Sequence, residues 1–100
     1  MNKATLGSKT VIREERTAKD GAEYTYRLFV KKSEMVASFR LPLYSVSVEM
    51  TDALGNRTEA TLNDVFADVG KAHNFFDYIF ENLATPLNLP YVLEDVMKVK

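Results

Sequence analysis

Two segments of the chain alternate between apolar and polar residues, the pattern of half-buried β-strands. The apolar positions of residues 22–30 and 43–50 are Tyr24, Tyr26, Leu28, Val30, Tyr44, Val46, Val48 and Met50. A period of two places each set on one face of its strand. Residues 9–16 and 57–62 are predicted as further strands, and the sequence Asp20-Gly21 predicts a hairpin turn between the first two. Consecutive strands usually neighbour one another, so we expect an antiparallel meander of three or four strands.

After residue 62 the apolar period becomes that of an α-helix. We predict a first helix that is capped by Asp68 and ends near Leu83 or Ala84, because Thr85 precedes a proline. Asn88 is predicted to cap a second helix, with Pro90 in its first turn. The two apolar stripes consist of Val69, Ala72, Phe75, Phe76, Ile79, Phe80 and Leu83, followed by Leu89, Val92, Leu93 and Val96. Residues 31–42 are predicted as a long connection.

Each predicted helix has one apolar stripe and the predicted sheet has one apolar face, so both helices should pack on that face. The predicted fold class is α+β, with two C-terminal helices on an antiparallel sheet. Residues 1–100 should form a single domain, with a sheet part at 8–62 and a helical part at 63–98. The other face of the sheet should be wetted. There we expect cross-strand pairs of Arg27 and Lys31 with Glu49 and Glu59.

The composition excludes several classes of protein. With 46% hydrophobic and 27% charged residues, the chain resembles globular rather than disordered proteins. The absence of cysteine excludes disulfides and thiolate sites, and we expect a cytoplasmic location without a signal segment or membrane span. Residues 1–40 carry nine Lys/Arg against five Asp/Glu, and residues 41–100 carry four against nine. Pairing between the two halves is the preferred explanation, and nucleic-acid binding by the basic half is the alternative.

Side chains suited to catalysis are sparse. His73 is the single histidine and lies at the edge of the first helical stripe, so we predict a packing role for it. Asp77 and Glu81 share the helical side predicted to face solvent, which favours a solvated surface over a metal site. No phosphate-binding glycine motif is present. We therefore predict no catalytic residue, cofactor or metal, and we expect that the protein is not an enzyme.

Four segments resemble a family of small uncharacterised proteins from Firmicute bacteria, a domain of unknown function. They are "SKTVIRE", "YTYRLFV", "LYSVSVE" and "LNDVFADVGKAHNFFDYIFENLATPLNLPYVLEDVM", and the likeness runs from about residue 8 to residue 97. The resemblance implies a shared fold and a compact cytoplasmic protein. It implies no activity.

From these expectations we predict that the protein binds another protein. The partner is either an unknown protein or a second copy of the chain in a homodimer. The proposed surface comprises Phe29 and Leu43 on the polar sheet face, together with Leu87, Tyr91 and Asp95, for which packing gives no explanation. Edge strands offer a further route, since a strand can add to an exposed sheet edge. A regulatory module of this kind, without cofactor or membrane contact, is the function predicted from the sequence.

Overall fold

Four antiparallel strands follow one another in chain order: β1 (Thr10–Lys19), β2 (Ala22–Lys32), β3 (Pro42–Thr51) and β4 (Arg57–Phe66). The structure is a computed structural model that describes residues 9–32 and 42–98. The order β1-β2-β3-β4 confirms the predicted meander and fixes four strands. Asp20 and Gly21 both have positive φ, 55° and 84°, as the predicted hairpin turn requires. The connection predicted at 31–42 is too long at both ends, because Lys31 and Lys32 belong to β2 and Pro42 begins β3; residues 33–41 lie outside the described residues.

Two helices, α1 (Val69–Glu81) and α2 (Leu89–Lys98), pack on one face of the sheet. Helix α1 lies across β2, β3 and β4, whereas α2 contacts β4. The side chain of Asp68 accepts hydrogen bonds from the amides of Gly70 and Lys71, so it caps α1 as predicted. The α+β class and the two helices on one face are therefore confirmed.

The core lies between the helices and the alternating positions of the central strands. Tyr26 is opposite Val48 and Leu28 is opposite Val46, so the two apolar faces predicted from the sequence meet side by side. The buried core residues are Tyr26, Leu28, Tyr44, Val46, Val48, Phe66, Ala72, Phe75, Phe76, Ile79, Ala84 and Leu89. Burial of each large apolar side chain contributes about 1.5–3 kcal/mol to folding.

Strand β4 continues beyond residue 62, where the sequence pattern predicted its end. Val46 is opposite Leu62, but Tyr44 is opposite Phe66, so the single residue Ser45 of β3 lies opposite three residues of β4, 63–65. Asp64 sits in this irregular stretch with φ of 54°. The extra residues break the two-residue period although the strand continues. The predicted start of the helical part at residue 63 therefore falls inside β4.

The corner between the helices is capped differently from the prediction. The amide of Asn88 donates to Thr85 Oγ1 (3.2 Å), while the amide of Thr85 donates to Asn88 Oδ1 (2.8 Å). This reciprocal pair is a capping box in which Thr85, rather than Asn88, takes the first position. Pro86 then occupies the following position, where a missing N–H is tolerated. Pro86 thus belongs to the entry of the second helix as well as to the end of the first.

Helix α1 ends in a left-handed residue just before this corner. Leu83 has φ of 51°, and the amide of Ala84 donates to the carbonyl of Ile79 at 2.9 Å. A second bond runs from the Leu83 amide to the carbonyl of Phe80. Together they form a Schellman motif, which satisfies the last carbonyls of the helix. Both sides of the corner are thus held by defined hydrogen bonds.

Candidate interaction surfaces

The open face of the sheet, which the helices do not cover, carries a row of ion pairs that includes all four strands. Glu14 of β1 contacts Arg16 at 3.1 Å and Arg27 of β2 at 3.0 Å. Arg27 also contacts Glu49 of β3 at 3.2 Å, and Glu49 binds Arg57 of β4. We call these five residues the ion-pair ladder. The predicted pairing of Arg27 with Glu49 is confirmed.

The charges of the ladder change each other's proton affinity. The hydrogen bond from Arg27, assisted by Arg16, lowers the pKa of Glu14 below its usual value. In turn Glu14, and then Glu49, raise the pKa of the Arg27 guanidinium. Each charge therefore stabilises the ionised form of its neighbour. The arginines of this face already have carboxylate partners within the chain.

The remaining predicted pairing on the open face, between Lys31 and Glu59, does not form. Lys31 contacts Asp64 at 3.1 Å, a residue in the irregular part of β4. Glu59 lies directly opposite Glu49, and in the part of the chain that the structure describes it makes no ion pair. Lys31 therefore pairs with Asp64, in the irregular part of β4, instead of with Glu59.

The centre of the open face is not wetted, contrary to the prediction. Ser45 and Ser47 are 0% and 1% exposed, with Phe29 and Arg27 directly opposite them on β2. Ser45 Oγ accepts a hydrogen bond from the Asp64 amide at 2.8 Å. Ser47 Oγ is buried and has no hydrogen-bond partner among the described residues. Long neighbouring side chains and small serines thus produce a buried strip on the polar face.

The residues that the sequence proposed as one interaction surface fall into two separate groups. Phe29 and Leu43 are partly buried diagonal neighbours on the open face of the sheet. Leu87 and Tyr91 project from the corner and from α2 with 82% and 65% of their surface exposed, and Asp95 is exposed one turn further along. The two groups lie on opposite sides of the sheet. The structure therefore does not bring them together.

A groove of about 670 Å³ lies between α1 and α2. Its lining comes from β4 and both helices: Phe66, Lys71, Asn74, Phe75, Tyr78, Val96 and Met97. The rings of Phe66 and Phe75 are in contact, with centroids 5.4 Å apart, and Tyr78 and Met97 are each about half exposed. Its volume is in the range of common ligand sites, which are mostly apolar with a few polar groups.

Sequence reasoning missed this groove because Lys71, Asn74 and Tyr78 fall outside the apolar stripe predicted for α1. These residues recur at helical spacing and form a second stripe beside Phe75. The aromatic pair Phe75 and Tyr78, which widens the apolar stripe on one side, was the available signal. The contribution of α2 to the opposite wall required the three-dimensional arrangement.

Arg13 connects the edge strand β1 to α1. Its guanidinium contacts Asp77 at 2.6 Å and His73 Nδ1 at 3.2 Å, and lies 4.4 Å from the centre of the Phe76 ring. Because arginine only donates, Nδ1 of His73 must be the acceptor. The Asp77 side chain is 46% exposed, so it lies at the surface as predicted, but it also pairs with a strand residue. His73 is part of the same boundary contact.

Two searches for particular sites in the described residues gave negative results. No group of three or more His, Cys, Asp or Glu side chains within 9–32 and 42–98 is placed to hold a metal ion. Within the same residues, neither helix has the length and apolar character needed to cross a bilayer.

Comparison with known proteins gave a single type of match. Residues 6–99 match the profile of a family of unknown function (DUF6514). No curated protein and no solved structure match the chain. The family match agrees with the resemblance to uncharacterised domains noted from the sequence, and it carries no activity with it.

Proposed function

The chain belongs to the DUF6514 family, and we propose that it is a small, non-enzymatic protein-interaction module that binds its partner through the groove between α1 and α2. The observation that carries this proposal is the apolar groove itself, open along a rim formed by Tyr78 and Met97. Apolar grooves between helices are suited to take up the apolar side of another chain. We further propose a bacterial, cytoplasmic protein, and a chain without cysteine suits a reducing compartment.

The distribution of exposed apolar residues supports this choice of surface. Five of the eight large apolar side chains that are exposed in the described part of the chain belong to the helices and their corner: Val69, Tyr78, Leu87, Tyr91 and Met97. Single exposed apolar residues are ordinary, but two of these five, Tyr78 and Met97, both line the groove. Leu87 and Tyr91, which the sequence proposed, lie on this helical side.

The edge strand β1 is a weaker candidate for pairing with a second copy. Charged residues occupy most of its centre, and its register with β2 shifts between Val11 and Arg13. Charges and bulges are the means by which edge strands resist pairing with other chains. We therefore prefer the helical side to β1 as the contact of a homodimer, whose formation is an outcome of the test below.

Nucleic-acid binding by the basic half receives no support from the arrangement of charges. Arg13, Arg16 and Arg27 each make an ion pair with a carboxylate of the same chain. Paired guanidinium groups contribute less to phosphate binding than an unpaired basic patch, which is the usual footprint of such proteins. The interaction proposal therefore ranks first.

The proposal is tested by comparing two charge insertions at exposed apolar positions. Met97→Glu places a carboxylate at the rim of the groove, whereas Leu54→Glu places one on the turn between β3 and β4. We expect a tagged chain to retain a protein partner from its host in the wild type and in Leu54→Glu, and to lose it in Met97→Glu. Circular dichroism verifies that both variants fold.

Sedimentation of the same three proteins tests whether the partner is a second copy of the chain. Self-association that Met97→Glu removes and Leu54→Glu preserves would assign the groove to a homodimer. Equal retention of the partner by all three proteins, or retention by none, would overturn the groove as the interaction site.

A further inference from the structure

We propose that the partner segment bound in the groove is an acidic amphipathic helix whose carboxylate pairs with Lys71. This inference rests on the function proposed above and names the chemistry of its partner. Three properties of the groove lead to it: its length, its charge and its apolar walls.

The length of the groove matches two turns of a helix. On α1, its wall runs from Lys71 to Tyr78, seven residues apart. At a rise of 1.5 Å per residue this distance is roughly 10 Å. A bound helix of that contact length would present apolar residues at i, i+3, i+4 and i+7. A third helix in this position would extend the helical layer beside α1 and α2.

The charge of the groove is positive and uncompensated by its own lining. Lys71 is the charged residue of the wall, and the other polar members are the Asn74 amide and the Tyr78 phenol. Among the described residues Lys71 takes part in no ion pair with a distance under 4 Å. The nearby Asp68 uses Oδ1 to cap the amides of Gly70 and Lys71. A carboxylate on the partner would therefore find a cation without a partner.

The apolar walls supply the nonpolar part of the contact. Phe66 and Phe75 form one aromatic pair, and Val96 and Met97 face them from α2. An unbranched methionine adapts its shape to different apolar partners. Leucine side chains on one side of a partner helix would be buried between these walls, with the carboxylate one turn away at Lys71.

Synthetic peptides test the proposal directly. The probes are two capped alanine–glutamine helices with leucines at i, i+3, i+4 and i+7. One peptide carries a single glutamate one turn before the leucines, and the other carries it one turn after them. Matched peptides carry lysine or glutamine at that position. We expect the better of the two glutamate peptides to bind about five- to tenfold more tightly than its lysine counterpart, with the glutamine peptide between them. Fluorescence anisotropy at low ionic strength measures the affinities.

Variants of the protein test whether Lys71 is the cation that causes the preference for the glutamate peptide. Lys71→Glu should reverse the preference, and Lys71→Met should remove it. Lys19→Glu makes the same charge change at an exposed position of the β1–β2 hairpin and should preserve the preference. Raising the ionic strength should reduce the advantage of the glutamate peptide, because salt screens exposed charges.

The outcomes separate this inference from the proposed function. If leucine peptides bind without preference for glutamate, the acidic partner is overturned and the groove remains an interaction site. If no peptide binds but Met97→Glu still loses a captured protein, the helical partner is overturned while the proposed function stands. If no peptide binds and Met97→Glu still retains the captured protein, both proposals fail.

Discussion

The two faces of the sheet differ in how many of their charged and apolar side chains find partners within the chain. On the open face, the ion-pair ladder joins residues of all four strands, and Lys31 pairs with Asp64. On the helical face, apolar residues are buried in the core, yet a groove between α1 and α2 stays open. The charged face is internally paired, whereas the helical face offers unmatched apolar surface and a lysine, Lys71, that has no ion-pair partner among the described residues. The comparison therefore favours the helical side as the location of the proposed interaction site.

The same comparison separates the sources of stability. Exposed ion pairs contribute about 0–1 kcal/mol each, whereas buried apolar side chains contribute several times more. The open face should consequently tolerate substitutions that the helical face does not. Four matched pairs of substitutions test this contrast, in order of decreasing effect.

Phe76→Ala should have the largest effect. Phe76 is fully buried and its ring also supports the Arg13 guanidinium. Removing a buried phenylalanine side chain costs about 3–5 kcal/mol. The matched change on the open face, Phe29→Ala, removes a partly buried ring and should cost less than half as much. Urea unfolding measures both, and equal losses would contradict the contrast between the faces.

Tyr26→Phe should lower the free energy of unfolding by about 1–2 kcal/mol, because it leaves a buried carbonyl without its donor. In the wild type, the Tyr26 hydroxyl donates to the carbonyl of Ala84 at 2.8 Å. This bond joins the centre of β2 to the corner between the helices. Thermal or urea unfolding at neutral pH gives the difference, and Tyr91→Phe, at an exposed phenol, should change it little.

The buried phenol of Tyr26 should also make the free energy of unfolding depend on pH in the alkaline range. Burial raises the pKa of Tyr26 from its usual 10.0 to about 12. Because the folded pKa is the higher one, its contribution is complete below pH 10 and is lost as pH rises towards 12. Tyr26→Phe should flatten this part of the stability curve. An unchanged alkaline slope in the variant would assign the loss to other groups.

The sequence predicted the parts of the fold that follow a simple period. Residues 22–30 and 43–50 alternate because their strands have one buried face, and the helical stripes follow from one-sided packing. The end of β4 was missed because the irregular stretch at Asp64 interrupts the period. The cap of the second helix was placed at Asn88 because Thr85 and Asn88 are both suitable capping residues.

The interaction surface was less predictable than the fold. Phe29 and Leu87 are both apolar residues outside the core pattern, but nothing in their spacing shows that they lie on opposite faces. The groove depends on α2 lying beside α1 at the distance that leaves a gap. Such a distance follows from tertiary packing rather than from the periodicity of either helix.

Two neighbouring serines provide a smaller test on the open face. Ser45→Ala removes the acceptor of the Asp64 amide and should cost about 1 kcal/mol. Ser47→Ala removes a buried hydroxyl that has no partner among the described residues, so it should be neutral or slightly stabilising. Both changes remove one oxygen from a fully buried serine. Urea midpoints of the two variants should therefore differ, and equal destabilisation would show that Ser47 has a partner.

Glu14→Gln should have the smallest effect, and it should appear mainly at acidic pH. The hydrogen bond from Arg27 lowers the pKa of Glu14 from its usual 4.5. A lowered folded pKa means that the contribution of Glu14 is present above about pH 4.5 and disappears as pH falls further. The variant should therefore lose less stability on acidification than the wild type, and its stability should depend less on salt.

Glu23→Gln is the matched control, because Glu23 is exposed on β2 and forms no ion pair within the described residues. It should leave both the acid and the salt dependence as they are in the wild type. If Glu14→Gln instead destabilised the protein as strongly as Tyr26→Phe, the ladder would be a main source of stability. The open face would then differ from the helical face only in its chemistry, and its internally paired charges would no longer argue against a functional role there.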